Sequence, residues 1–456
     1  MHRLSVIVLI FTCFIILTGC ASMMTQTSQY KGSDVMLQNR DVDAVIKKVE
    51  SKKSKAYKKK DRVLEYLDLG MLYHYQGDYV KSNQLLEQAE QAIEESYTKS
   101  ISKAALSMLL NDNALEYSGE DYEDIYTNVF KALNYLHQDK FDEAFVEIRR
   151  IDLKLSTLED KYRKYSDELN SSKNKKTDFQ AGTNKFSNSA LGRYLSMIIY
   201  EQEGKLDDAI IDYNKIQEAF KVQPDIYNFN PPDLSDSLNQ NAAPTLHVVS
   251  LIGSAPVKKE REYHIATSKN QLTIVSVDET IDPVIMFWPD IDPNYYFKFA
   301  LPYIVDNPSV VGRVLVKIDT LRYELFKIED IGNVAVQTYK IKEPIIYLKS
   351  ITRAVLKGVA AEAAKDEMKD KNPGFAGSVM GLLTDIAVYA TENADTRISR
   401  FFPNDVLVAD IPVPEGEHNI SIEYYDYNGD LLYTDDKGTV NIDKSYLNLI
   451  ESWQLQ

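Results

Sequence analysis

The sequence predicts an α+β chain of several domains: a helical-repeat half, then a β-rich, sandwich-like half into which a helical hairpin is inserted. Three observations predict it. From Val42 to about Phe220, apolar residues recur at spacings of three and four, prolines are few, and Lys, Glu, Gln and Ala abound. From about Thr245 onward, short β-branched and aromatic runs alternate with turn residues. Between them lies VQPDIYNFNPPDLSDSLNQNAAP, whose Pro, Asn and Asp residues disfavour regular structure. At 456 residues the chain exceeds one ordinary domain and can bury more than one core.

Residues 1–19 carry one cation, Arg3, before a nearly unbroken apolar run from Leu4 to Leu17. The run is shorter than the roughly 20 residues a spanning helix needs, so it reads as a signal peptide. Leu17-Thr18-Gly19-Cys20 resembles the lipobox of bacterial lipoproteins, which implies cleavage before Cys20 and lipid on its thiol. An ordinary secretory signal with an incidental cysteine is the alternative. Ala21 and Ser22, rather than an aspartate, follow the cysteine, which by the same resemblance implies, in an organism with two membranes, sorting to the outer one rather than retention in the inner one. Residues 20–35 are small and polar, as a lipidated tether should be. With Cys13 lost and Cys20 acylated, no disulfide or cysteine metal site is expected. The formal net charge of −16 argues against nucleic acid as a partner. On that overall charge, lipid alone is expected to hold the membrane, without help from a polybasic segment.

The helical half, residues 36–221, contains three segments that align. The first has Tyr66, Leu69, Gly70, Tyr73, Gly77, Tyr79, Ser82, Leu86 and Ala89, and it resembles the tetratricopeptide (TPR) pattern. Looser versions run from Ala132 to Ile148 and from Tyr200 to Tyr213. Small residues such as Gly70, Ser82, Ala132, Ala144 and Ala209 let two helices approach, and Gly77 or Gly204 makes the turn. A generic helical bundle is the plainer alternative. Arrays of this kind present a concave groove, so binding a partner's peptide or helix is the default expectation.

Residues 222–244 read as a linker or an irregular crossing segment. In the β-rich domain, 245–346, strands are expected at 246–253, 271–277, 283–288, 313–318 and 333–339. The helical hairpin, 347–397, has one apolar face on Ile351, Val355, Leu356, Val359 and Ala363. A second lies on Phe375, Val379, Leu382, Leu383 and Ile386, after a break at Lys371-Asn372-Pro373-Gly374. Its length and charges suit packing on the sheet better than spanning a membrane, with lipid or partner contact as the alternative. The C-terminal region, 398–456, returns to strands, and Asn428-Gly429 is a strong hairpin signal.

Catalytic and metal signals are poor. The five histidines beyond the signal have no metal-ligand spacing, and Ser96-x-x-Lys99 lacks an accompanying Lys-Thr-Gly. Asp426, Asn428 and Asp430 fit a hairpin turn rather than a calcium loop. No catalytic residue, metal or cofactor is therefore expected. The stretches 117–150, 192–213, 253–260 and 392–418 together resemble an uncharacterised family of bacterial TPR-like envelope lipoproteins. The resemblance points to Glu147, Arg149 and Arg150, to Pro256, Lys258 and Glu260, and to Asp395 and Arg397, as structural clamps or partner contacts. It implies an envelope accessory protein working beside other lipoproteins. With a TPR-like groove and no catalytic constellation, the leading expectation is a lipid-anchored scaffold or adaptor that holds other envelope proteins or lipoproteins in that groove, in cell-envelope biogenesis. A glycan or cell-wall hydrolase using carboxylates of the β-rich half, and a structural subunit of an export or surface-fibre machine, are the alternatives.

Overall fold

A computed structural model describes residues 30–102, 112–171, 178–235, 238, 243–278, 282–371 and 393–455. Cys20 and the second apolar face of the expected hairpin lie outside the described residues.

Helices α1 (Ser33–Gln38) and α2 (Val42–Ala56) lead into three hairpins. These are α3 (Arg62–Gln76) with α4 (Tyr79–Ser102), α5 (Asp121–Leu136) with α6 (Phe141–Asn170), and α7 (Ala190–Gln202) with α8 (Leu206–Val222). Gly77 and Gly204 turn the first and third at φ of 87° and 71°, the left-handed region where a side chain is disfavoured. Gly70 does what its size permits: a Cβ there would lie 2.6 Å from Leu86 Cδ2. The Ser82 hydroxyl donates to the Gly70 carbonyl at 2.8 Å, closing the same contact.

The two helices of each hairpin are not equivalent. In α5, 14 of 16 residues are buried, whereas α8 buries 4 of 17, so the first helices face inward and the second helices face out. The inner face is covered by the chain's own β half. Tyr75 of α3 packs on Trp453 at 5.2 Å and donates to the Phe401 carbonyl at 2.7 Å. Phe130 of α5 meets Phe402 at 5.8 Å, and Tyr194 of α7 donates to Asp410 at 2.7 Å.

The first sheet has the order β12 (Asn448–Gln454), β1 (Thr245–Ile252), β9 (Asp405–Pro412), β8 (Phe326–Asp330), with β1 and β12 parallel and the other pairs antiparallel. Seven of the eight β1 residues are buried because both faces are covered. Val249 and Leu251 join the helical core; Leu246 and Val248 meet Val314, Val316, Ile422 and Tyr424 of a second sheet. That antiparallel sheet runs β11 (Leu431–Ile442), β10 (Gly416–Asp426), β6 (Val311–Ile318), β7 (Leu321–Glu324). Residues 245–346 and 398–456 thus build the same two sheets. A third antiparallel sheet, β4 (Val284–Phe287), β3 (Gln271–Ser276), β2 (Val257–Ser268), β5 (Tyr296–Val305), packs on α6 and on a long helix α9 (Ile331–Lys371).

Helix α9 corrects the strand expected at 333–339. Val334 and Val336 alternate as a strand would, but the burial of Ile331, Val334, Ala335, Thr338, Ile341 and Ile345 follows helical spacing, and Asp330 caps the start by accepting from Asn333 N at 2.7 Å. Pro344 leaves the Lys340 carbonyl without its helical donor; Gly182 lies against it and donates its own N–H to Ile341 O at 2.8 Å. Residues 222–235 cross the core rather than leave it, burying Ile226, Tyr227 and Leu234. No helix among the described residues is long and apolar enough to cross a membrane.

Candidate functional site

Four of the residues singled out in the sequence converge on one knot. Its centre is Arg397, in the segment leading to β9, with a side chain only 2% exposed. Nε and Nη2 donate to the two Asp395 oxygens at 2.8 and 2.6 Å; Nη1 donates to Asp61 at 2.9 Å and to the Leu115 carbonyl at 3.1 Å; Nη2 also donates to the Asp112 carbonyl at 3.1 Å. All five guanidinium donors are thereby used. The Arg397 guanidinium also lies over the Tyr117 ring at 5.2 Å. Burial opposes ionisation of Asp395, but Arg397 outweighs it and holds the carboxyl well below the usual range.

Lys258 of β2 lies 2.5 Å from Glu120 and donates to the Arg397 carbonyl at 3.1 Å, while Lys342 of α9 takes the other Glu120 oxygen at 2.6 Å. Glu260 accepts the Ala394 N–H at 2.8 Å, and Pro256 is buried just before the same strand. The knot therefore ties the third sheet, α9 and the loop before α5 to the start of α3.

A cavity of about 500 Å³ adjoins it, walled by Tyr97, Tyr117, Tyr162 and Tyr165 together with charged groups. Every cation in its wall has a carboxylate partner. Lys99 meets Glu116 at 3.1 Å, Lys161 meets Asp121 at 2.7 Å, and Lys349 and Arg353 flank Asp112 at 2.5 and 3.7 Å. Burial disfavours the Asp112 and Asp121 anions, yet these cations outweigh it and keep both carboxyls below their ordinary range. Such a wall joins helices of the first half to the third sheet and α9.

Glu147 and Arg150 belong to a separate network on α4, α5 and α6. The expected pair is present at 3.5 Å, but the centre is Lys131, 2% exposed, with Glu87, Glu90 and Glu147 at 2.5, 2.9 and 3.1 Å. Asn128 donates to Glu147 at 2.6 Å, and Arg150 also reaches Glu90 at 3.0 Å. Arg149 is exposed on α6.

Sequence reasoning missed four buried carboxyls at the junction of the halves. Asp68 accepts from Tyr30, Tyr57 and Ser399 hydroxyls at 2.8, 2.7 and 2.7 Å, and burial pushes it up to about 7. Glu123 accepts from Glu120 N, Tyr117 OH and Ser399 N at 2.7, 2.7 and 2.6 Å; burial and the Glu120 charge push it up to about 7. Glu329 of β8 caps α7 through Leu191 N at 2.7 Å and accepts from Tyr126 and Tyr227 at 2.9 and 3.1 Å; burial again pushes it up to about 7. Glu451 of β12 lies 2.7 Å from His74 and 3.1 Å from His137; burial opposes its charge, and the histidines outweigh it. Only the Glu120…Glu123 spacing, a capping-box pattern, could have flagged one of them.

These contacts define a mixed α+β protein in which helices and small sheets share one body. No family model, curated protein or solved structure matches the chain.

Proposed function

We propose that this chain is a lipid-anchored scaffold or adaptor of the bacterial cell envelope, attached through Cys20 at an outer membrane and holding other envelope proteins or lipoproteins. The three hairpins are TPR-like on this reading, with α3–α4 nearest the pattern through Gly70, Gly77 and Leu86. One observation carries the proposal: the buried cations Arg397, Lys131, Lys258 and Lys349 are each taken up by carboxylates, so they tie the body together and leave its surface to a partner. The inner groove expected to take the partner is filled by Trp453, Phe401, Phe402 and Asp410 of the same chain. Partner contact therefore falls to the outer helices, where Leu153 of α6, one turn from exposed Arg149, is 61% exposed and Ile211 of α8 is 51% exposed.

The hydrolase alternative would draw on an acidic pair such as Asp435-Asp436, and the Asp435 carboxyl is already taken by Arg40, Ser452 and Lys437 at 3.0, 2.5 and 3.0 Å. A self-associating subunit draws on Ile285 and Phe287, 69% and 68% exposed on edge strand β4. The test is a photo-crosslinker placed in cells at Leu153 or Ile211, followed by mild detergent extraction. A discrete adduct with a second envelope protein is expected. Adducts only between copies of this chain point to the subunit reading, and none at either position overturns the outer-face scaffold.

A further inference from the structure

The overall acidity hides a local reversal. Between Lys47 and Arg62 the chain holds nine Lys and Arg against two acids, Glu50 and Asp61. The stretch covers the C-terminal part of α2 and the turn into α3. Lys47, Lys58 and Lys59 are exposed, as is Lys31 before α1, and none of these four has an ion-pair partner among the described residues. Lys53 is exposed as well and meets Glu65 at 2.6 Å.

The patch surrounds the point where the tether joins the body. Tyr30, the first described residue, and Tyr57, in the middle of the basic stretch, both donate to the same Asp68 oxygen at 2.8 and 2.7 Å. Lys48 reaches back to the Lys31 carbonyl and, at 2.9 Å, to the Ser33 hydroxyl. Ten residue steps separate Cys20 from Tyr30, so full extension gives at most about 35 Å. A lipid on Cys20 thus keeps the patch close to its own leaflet, where phospholipid charge is felt within a Debye length of about 8–10 Å.

We propose that this basic surface docks on the anionic phospholipid leaflet that carries the anchor and sets the orientation of the body, so that lipid is not the sole attachment. The rest of the acidic surface is repelled from the same leaflet, which favours one orientation over others. The proposal rests on the lipid-anchored reading for which membrane is faced, but the charge chemistry is tested without the lipid.

The experiment is co-sedimentation of the full mature chain carrying Cys20→Ala with vesicles of phosphatidylcholine alone or mixed with phosphatidylglycerol. Binding is expected only to the anionic vesicles, and high salt should abolish it. Each neutralised lysine should weaken partitioning roughly five-fold, so Lys58→Gln with Lys59→Gln should lower it about 25-fold. The same charge change at exposed Lys269 and Lys444 should leave it nearly intact. Both sites of the first pair are exposed, and Lys47→Gln serves if that pair melts early. Equal binding to both vesicle types, no binding to the anionic ones, or an equal loss with the control pair would overturn the proposal. Failure of Cys20 lipidation in cells would leave this result standing, so the two readings fail separately.

Discussion

Arg397→Ala would leave the Asp395 and Asp61 carboxylates without their guanidinium and take a donor from each of the Leu115 and Asp112 carbonyls. The Arg397 side chain is 2% exposed, so its five donors are not simply replaced by bulk solvent. Removing one partner of a buried ion pair costs about 3–5 kcal/mol, and that is the expected loss here. Arg397→Lys keeps the charge but exchanges five planar donors for three on a flexible stem. It can hold Asp395 but not also Asp61 and both carbonyls, so about 1–3 kcal/mol should be lost. Urea unfolding of the mature chain, extrapolated to water, measures both. The pH dependence adds a signature. Asp395 has a folded pKa below its unfolded value of about 3.9, so its contribution is present above that pH and lost as pH falls through the folded value. Without the Arg397 guanidinium, burial pushes Asp395 up against only Lys258 and the N–H of residue 397, so the deficit of the alanine variant should shrink on acidification below about pH 4. A deficit under about 1 kcal/mol, or one unchanged between about pH 7 and pH 3, would refute the reasoning.

Asp68 titrates in the opposite sense. Its folded pKa, raised to about 7, makes the folded state bind a proton that the unfolded state releases, so its contribution to stability falls as pH rises from about 4 to 7. Its three partners are hydroxyls that can accept as well as donate, so Asp68→Asn should be tolerated and should gain on the wild type between about pH 5 and pH 8 in melting experiments. A variant that instead loses ground as pH rises would contradict the assignment. Gly70→Ala would drive a methyl against Leu86, which is fully buried, and should cost about 1–3 kcal/mol by overpacking. Shortening Leu86 to Ala in the same chain should relieve that clash, measured as a double-mutant coupling.

The helical half was legible because its signals are local. Gly70, Gly77 and Ser82 do in space what their spacing implies, and Glu147 pairs with Arg150 one turn on. Long-range chemistry was not. That Asp395 and Arg397 contact each other follows from their separation of two residues, but Asp61, Glu120 and Lys342 lie far away in sequence and carry no mark of the knot. Strand β2 escaped notice because Lys258 to Glu262 is an unbroken run of charge, neutralised by partners on other elements such as Glu120, Asp278 and Lys298. Residues 333–339 misled because a short alternating stretch looks alike in a strand and in the first two turns of a helix; only the longer window through Ile345 separates them. Net charge misled in the same way, since a total of −16 says nothing about the nine cations between Lys47 and Arg62.

Helices and sheets form one body closed over its own inner face. The chain has two tryptophans, Trp453 packed on Tyr75 of α3 and Trp288 in the core shared by the third sheet, α6 and α9. Their emission reports the β half, while far-ultraviolet circular dichroism reports chiefly the helices. Followed together through a urea titration of the mature chain, the two signals should give one coincident transition. Two separated midpoints, with the helical signal lost apart from the tryptophan signal, would show that the halves fold independently and that the inner groove is open to a partner after all.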